Sequence, residues 1–171
     1  MIEPVVKYVI DDSSINHVGL IGTNATINSK TYEKQIKAER KDIKISSLAT
    51  PLLATLIEEN NELLYESNTI QSYLKHKQFK HIDSLILGCT HYPLIEKQIN
   101  DFFNKEIQII SAIKLISEMI KTTFQKNRLL NLNSDTRKHQ FYVSDFTTIF
   151  QKKTKIFFPH SIILEEENIF S

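Results

Sequence analysis

The sequence predicts an α/β protein organised around a parallel sheet, and three observations carry that reading. Short apolar or β-branched runs at 18–21, 43–48, 85–87, 107–110 and 141–143 have the length and composition of strands buried on both faces. Segments with apolar residues at helical spacing lie between them, an alternation that argues for right-handed β-α-β units. Pro4, Pro51 and Pro93 each stand where a helix would begin, a position at which the missing N–H of proline costs nothing.

In chain order, the strand at 18–21 is followed by Tyr32 and Ile36, one helical turn apart. After the strand at 43–48, Pro51 opens a helical segment with Leu52, Leu53, Leu56 and Ile57, and Leu63, Leu64, Ile70, Tyr73 and Leu74 continue the spacing. The strand at 85–87 leads through Pro93 to Leu94, Ile95, Ile99, Phe102 and Phe103, and the strand at 107–110 leads to Ile113, Ile116, Met119, Ile120 and Phe124. Residues 127–138 are polar and rich in Asn, Asp, Lys and Arg, the composition of a connection. The expected organisation is therefore a main unit at 1–126 and a linker and tail at 127–171, with the tail resuming at Phe141.

Bulk properties exclude several classes. A chain of 171 residues, 41% of them hydrophobic, can bury the core of one domain, or of one domain and a fragment of a neighbour. A formal charge of +1, with Lys and Arg dispersed among Asp and Glu, gives no attraction for nucleic acid or an anionic membrane. Glu3, Lys7, Asp11 and Asp12 interrupt the opening apolar stretch before a signal-peptide core could form, and no apolar run is long enough to span a bilayer. The expectation is a cytoplasmic protein. One cysteine precludes a disulfide within the chain, and the histidines form no i, i+4 pair, so no metal site is expected.

All three glycines fall at two places, Gly19 and Gly22 around one strand and Gly88 at the end of another, where the backbone is expected to need freedom. In open α/β sheets ligands bind beyond the carboxyl ends of the strands. The loops Gly22-Thr23-Asn24-Ala25-Thr26 and Gly88-Cys89-Thr90-His91 are both expected there, facing one pocket. Cys89 precedes a helix expected to open near Pro93, whose dipole would favour a thiolate. Thr90 offers a hydroxyl and a backbone N–H to a carboxylate, and His91 can exchange a proton near neutral pH. Spacing alone equally fits a buried structural cysteine beside a surface histidine.

Leu87-Gly88-Cys89-Thr90-His91-Tyr92-Pro93-Leu94 closely resembles the second cysteine motif of bacterial glutamate racemases, of the aspartate/glutamate racemase family. Residues 21–27 resemble that family's glycine-threonine-x-alanine-threonine loop, and Ser29 and Tyr32 continue the likeness. Residues 48–50 through 56–59 resemble a third segment, although Thr55 replaces a common proline, and 141–145 resemble the final strand and turn.

The resemblance implies a three-layer α/β domain with a parallel sheet, and a carboxy-terminal segment belonging to a second, incomplete α/β domain. It implies inversion of the α-carbon of glutamate by two thiols on opposite faces, without pyridoxal phosphate or metal, to supply D-glutamate for peptidoglycan. Cys89 would be the second thiol, acting on the L-enantiomer. His91 would assist it as acid or base and contact substrate, and Thr90 would bind substrate. Glu58 would hold His91 in orientation, or else be an exposed glutamate beside Glu59 on an amphipathic helix. Thr23 and Thr26 would touch a substrate carboxylate, or else only cap the next helix.

The departures from the family are large. Roughly a domain's worth of residues is missing, with the first cysteine, the aspartate-serine pair and the asparagine-threonine pair. Ile2-Glu3-Pro4 resembles the family's crossover into its second domain, so Met1 is expected to mark an internal start or a truncated gene. Asn24 replaces a usually basic residue, and 109–112 lack a common aspartate. The tail would normally return to the missing domain, so an uncovered apolar face is expected, with a homodimer or a separately encoded amino-terminal half as partner. Two alternatives stand beside the racemase fragment. One is an inactive remnant or interaction module, supported by the absent first thiol. The other is an aspartate racemase or another superfamily racemase, whose motif usually has an acidic residue where His91 stands.

Overall fold

The computed structural model describes residues 2–59, 68–130, 140–148, 150–151, 154 and 162–168. The chain divides into two compact units, 1–129 and 130–171.

In the first unit α1 (Ile2–Asp11) turns Val5, Val6 and Val9 inward. It is followed by β1 (His17–Gly22), α2 (Asn24–Ser29), α3 (Thr31–Glu39) and β2 (Lys44–Ala49). Next come α4 (Leu53–Glu59), α5 (Asn68–Leu74), a 3-10 turn at Lys77–Phe79 and β3 (Ser84–Gly88). A second 3-10 turn (Tyr92–Ile95), α6 (Glu96–Phe102), β4 (Gln108–Ser111) and α7 (Ala112–Lys126) complete the unit. The strands expected from apolar runs are all present, each within a residue or two of the expected bounds. Leu63 and Leu64, expected on a helix, lie outside the described residues.

The four strands are parallel in the order β2-β1-β3-β4. Alternate residues serve opposite faces. Val18, Leu20, Ile86 and Ile110 join Val5, Val9 and Ile36 in one core, where α1 packs against α3 and α7. Leu85 and Leu87 are buried on the other face, where the Tyr92–Ile95 turn packs against α4 and α6. The chain leaves β1 for β2 on one side, then steps back over β1 to β3. This reversal makes the carboxyl ends of β1 and β3 a topological switch point, where such sheets open a crevice.

Gly22 and Gly88 are register partners at that point. Neither has a positive φ, so the expectation of backbone freedom is corrected. Close approach explains them instead. A Cβ on Gly88 would lie 2.7 Å from the carbonyl oxygen of Ile21, and one on Gly22 would lie 3.1 Å from Thr26 Cγ2. A second correction concerns the segment after Cys89. Pro93 opens a four-residue 3-10 turn, and the α-helix begins only at Glu96. The helix start expected near Pro93 is therefore a 3-10 turn continuous with α6.

The amino ends of the strands are tied by polar contacts. Asp83 accepts hydrogen bonds from the backbone N–H groups of Asn16 and His17 at 2.7 and 2.9 Å. His17 lies buried between the His81 carbonyl, 3.1 Å from Nδ1, and the Ser46 hydroxyl, 2.8 Å from Nε2. On α7, Ile113, Met119, Ile120 and Phe124 are exposed, so its helical periodicity does not correspond to a fully covered face within this unit. In the second unit, β5 (Phe141–Val143) pairs in parallel with β6 (Leu164–Glu166), and Tyr142 and Ile163 are exposed.

Candidate active site

The carboxyl ends of β1, β2 and β3 bring the candidate residues together. β3 ends at Gly88 and delivers Cys89, half-buried, at the mouth of the sheet. Cys89 Sγ lies 3.7 Å from His91 Nδ1, and His91 Nε2 lies 2.8 Å from a carboxylate oxygen of Glu58 on α4. A carboxylate can only accept, so it holds the proton on Nε2 and leaves the Nδ1 lone pair toward the thiol. The three side chains form a relay in which His91 can take the thiol proton while Glu58 stabilises the imidazolium. Thr90 Oγ1 lies 3.5 Å from the same Nδ1 and is the competing donor.

The glycine-threonine loop forms the opposite wall. Thr23 caps α2 by accepting from Thr26 N–H at 3.2 Å, and Thr26 Oγ1 donates to the Gly88 carbonyl at 3.3 Å. The two threonine hydroxyls are themselves 3.0 Å apart, so Thr23 donates to Thr26. The pair therefore fastens the start of α2 to the residue preceding Cys89, whatever else it contacts.

Two residues that spacing did not single out lock the cysteine loop from behind. Tyr92, fully buried, places its hydroxyl 2.6 Å from Thr50 Oγ1. Thr50 in turn donates from its backbone N–H and its hydroxyl to the Gly22 carbonyl, at 2.8 and 3.2 Å. The lock thus joins the ends of β1 and β2 to the turn after Cys89. Burial pushes the Tyr92 phenol up to about 12, with its Thr50 hydrogen bond opposing and the Cys89 charge adding. Sequence could have flagged Tyr92 only as part of its motif, because its partner lies 42 residues away.

A cleft of 310 Å³ opens between the two loops, lined by Thr23, Thr26, Tyr32, Gly88, Cys89 and Thr90 among others. Its volume is at the small end of ligand pockets. Among the described residues no cationic side chain lines it, so from these residues an anionic ligand would be held by hydroxyls and backbone N–H groups. Tyr32 is nearly sealed in, and burial alone raises its phenol. Among the described residues no group of three or more His, Cys, Asp or Glu could hold a metal, and no helix is long and apolar enough to cross a membrane.

Fold and site together define a doubly wound α/β enzyme domain that sets a thiol, backed by an imidazole and a carboxylate, at the switch point of its sheet. Comparison with known proteins gives the family. A glutamate racemase of Lactobacillus acidophilus is 33% identical over 144 residues, covering 82% of this chain and 53% of the relative. The crystal structure of glutamate racemase from Francisella tularensis in complex with D-glutamate superposes with a TM-score of 0.79 at 30% identity, covering 98% of this chain and 62% of that one. A glutamate racemase structure from Bacillus anthracis gives 0.81 at 29% identity, with 98% and 63% covered. The chain belongs to the glutamate racemase family and spans little more than half the length of the curated relatives it matches. No protein-family model matches it.

Proposed function

We propose that this chain is the Cys89-bearing half of a cytoplasmic glutamate racemase, one that interconverts L- and D-glutamate without cofactor and supplies D-glutamate for peptidoglycan. The observation that carries the reading is the relay from Cys89 through His91 to Glu58 at the edge of an open cleft.

In the L-to-D direction His91 Nδ1 accepts the Cys89 thiol proton, with Glu58 accepting a hydrogen bond from Nε2. The Cys89 thiolate removes the α-proton of L-glutamate, and its electron pair stays on the α-carbon as a planar carbanion. A second acid delivers a proton to the opposite face, giving D-glutamate. Cys89 is the only thiol among the 171 residues, and in this reading that acid is supplied from outside them, by an amino-terminal half. Thr90 holds the α-carboxylate with its hydroxyl and N–H, and Thr23 and Thr26 shape the opposing wall.

The test mixes the chain with such a half in heavy water and follows deuterium at the α-carbon of L-glutamate by NMR. Exchange that disappears in Cys89→Ser supports the reading. Absence of exchange in a demonstrated complex, or equal exchange in Cys89→Ser, overturns it. The lone thiol also fits a second reading, in which the domain folds and associates with a partner but turns nothing over. In that case the complex would form and remain silent.

A further inference from the structure

The relay requires two separate segments to meet. His91 belongs to the loop after β3, and Glu58 to the last turn of α4. Their side chains are 37% and 57% exposed, and a pair in that setting holds its own geometry weakly, because two mobile side chains give up freedom to keep it. A buried contact joins the same two segments. Tyr92, next to His91 in the chain, donates from its hydroxyl to the Thr50 carbonyl at 3.2 Å and lies 2.6 Å from Thr50 Oγ1. That carbonyl also accepts from the N–H of Leu53, the first residue of α4, at 3.1 Å. Thr50 is itself fastened to the end of β1 by its bonds to the Gly22 carbonyl, and both Thr50 and Tyr92 are wholly buried. The residue that leads into the Glu58 helix is thus tied to the residue that follows His91.

We infer that Tyr92 and Thr50 are positioning residues of the relay, holding α4 against the cysteine loop so that Glu58 stays within reach of His91 Nε2. The inference rests on the relay of the proposed function and adds what sets its geometry. A hydrogen bond between buried neutral groups meets no competition from water, so it is stiffer than the exposed pair it supports. Tyr92 acts through this geometry and not through charge, because burial lifts its phenol to about 12 and the hydroxyl is neutral near pH 7. Without the clamp Glu58 and His91 meet less often, and Nε2 loses the acceptor that fixes its proton. Nδ1 then draws less on the Cys89 thiol proton.

The readout is the rate at which iodoacetamide alkylates Cys89, the sole thiol, in the full chain near neutral pH. Tyr92→Phe is expected to slow alkylation about two- to fivefold, the span of an exposed pair, and Thr50→Val to slow it as much. Thr50→Ser, which keeps the hydroxyl, is expected to restore the parent rate. Glu58→Gln is expected to slow alkylation too, and adding Tyr92→Phe to it should change nothing further, because residues that act through one contact do not add. The sign separates positioning from general support of the fold. A loop that is merely loosened exposes a half-buried thiol and speeds its alkylation.

Faster or unchanged alkylation in Tyr92→Phe, beside a slowed Glu58→Gln, overturns the inference and leaves the proposed function standing. Further slowing when Tyr92→Phe is added to Glu58→Gln shows that Tyr92 acts by another route and overturns it too. If circular dichroism shows Tyr92→Phe unfolded, Thr50→Val against Thr50→Ser decides, and equal rates in that pair count against the inference. The parent rate in Glu58→Gln removes the relay, and the positioning role with it.

Discussion

Replacing Tyr92 by Phe tests the lock behind the cysteine loop. The change removes one oxygen from a fully buried ring and with it the hydrogen bonds to Thr50 Oγ1 at 2.6 Å and to the Thr50 carbonyl at 3.2 Å. Thr50 keeps its own bond to the Gly22 carbonyl, so no donor is orphaned, and the expected cost near pH 7 is about 1 kcal/mol. The same residue sets an alkaline limit on the parent. Its folded pKa, about 12, lies above the unfolded value of 10.0, so the folded state holds the proton more tightly. The associated stability is complete below pH 10 and is lost as pH rises through 12. The difference between the folded and unfolded values corresponds to roughly 2–3 kcal/mol in full, of which about 1.4 kcal/mol is lost by about pH 11. The parent should therefore exceed Tyr92→Phe by about 1 kcal/mol at pH 7, and the two should be roughly equal at pH 11. Urea unfolding followed by circular dichroism at pH 7, 9, 10 and 11 reads the difference, in which the titration of other groups cancels. A gap that stays constant to pH 11 would show that the hydroxyl is not held neutral by burial, and no gap at pH 7 would remove the lock.

Three further perturbations address other parts of the molecule. Gly88→Ala should cost roughly 3 kcal/mol, the upper end for overpacking, because the obstacle is the Ile21 carbonyl. Gly19→Ala should cost less, since its nearest neighbour is the movable end of Leu85 at 2.8 Å, and thermal melts giving the reverse order would refute the close-approach account. Burial lowers the pKa of His17 below 6.5, so its contribution is complete above that pH and is lost as pH falls toward the folded value. His17→Gln should flatten the stability profile below pH 6.5, and an unchanged acid slope would contradict it. Glu58→Gln should slow alkylation of Cys89 several-fold near neutral pH while changing stability by no more than about 0.5 kcal/mol, as suits a half-exposed pair. Equal alkylation rates would take Glu58 out of the relay.

The sheet was legible because parallel strands covered on both faces must be continuously apolar, as in Leu85, Ile86 and Leu87. β2, an edge strand mostly part-exposed, was legible instead from Ile45 and Leu48, which frame Ser46 and Ser47. The 3-10 turn at Tyr92–Ile95 was not, because Pro93 favours the first turn of either helix type and only the following hydrogen bonds decide. Periodicity placed α7 correctly but could not say that Ile113, Met119, Ile120 and Phe124 stay exposed, because amphipathicity specifies a face and not its neighbour. The relay from Cys89 to Glu58 was legible only through motif resemblance. The Tyr92–Thr50 contact depends on how segments 42 residues apart close over one another, which no local pattern encodes.

The geometry of the site also constrains what this domain can do by itself. On the proposed reading, with Gly22 and Gly88 in register holding the two loops at one end of the sheet, Cys89 would reach an amino acid in the cleft from one side. Inversion requires removal of the α-proton on one face and delivery on the other, and a single thiol anchored in this way cannot serve both. Returning a solvent-derived proton from the face it was taken would be the only turnover open to the isolated chain. Incubated alone with L-glutamate in heavy water, it should yield deuterated L-glutamate with no D-enantiomer, and chiral chromatography coupled to mass spectrometry distinguishes the two. D-glutamate formed by the unaccompanied chain, and abolished in Cys89→Ser, would mean that a second acid lies within these 171 residues and that the one-sided account of the cleft is wrong.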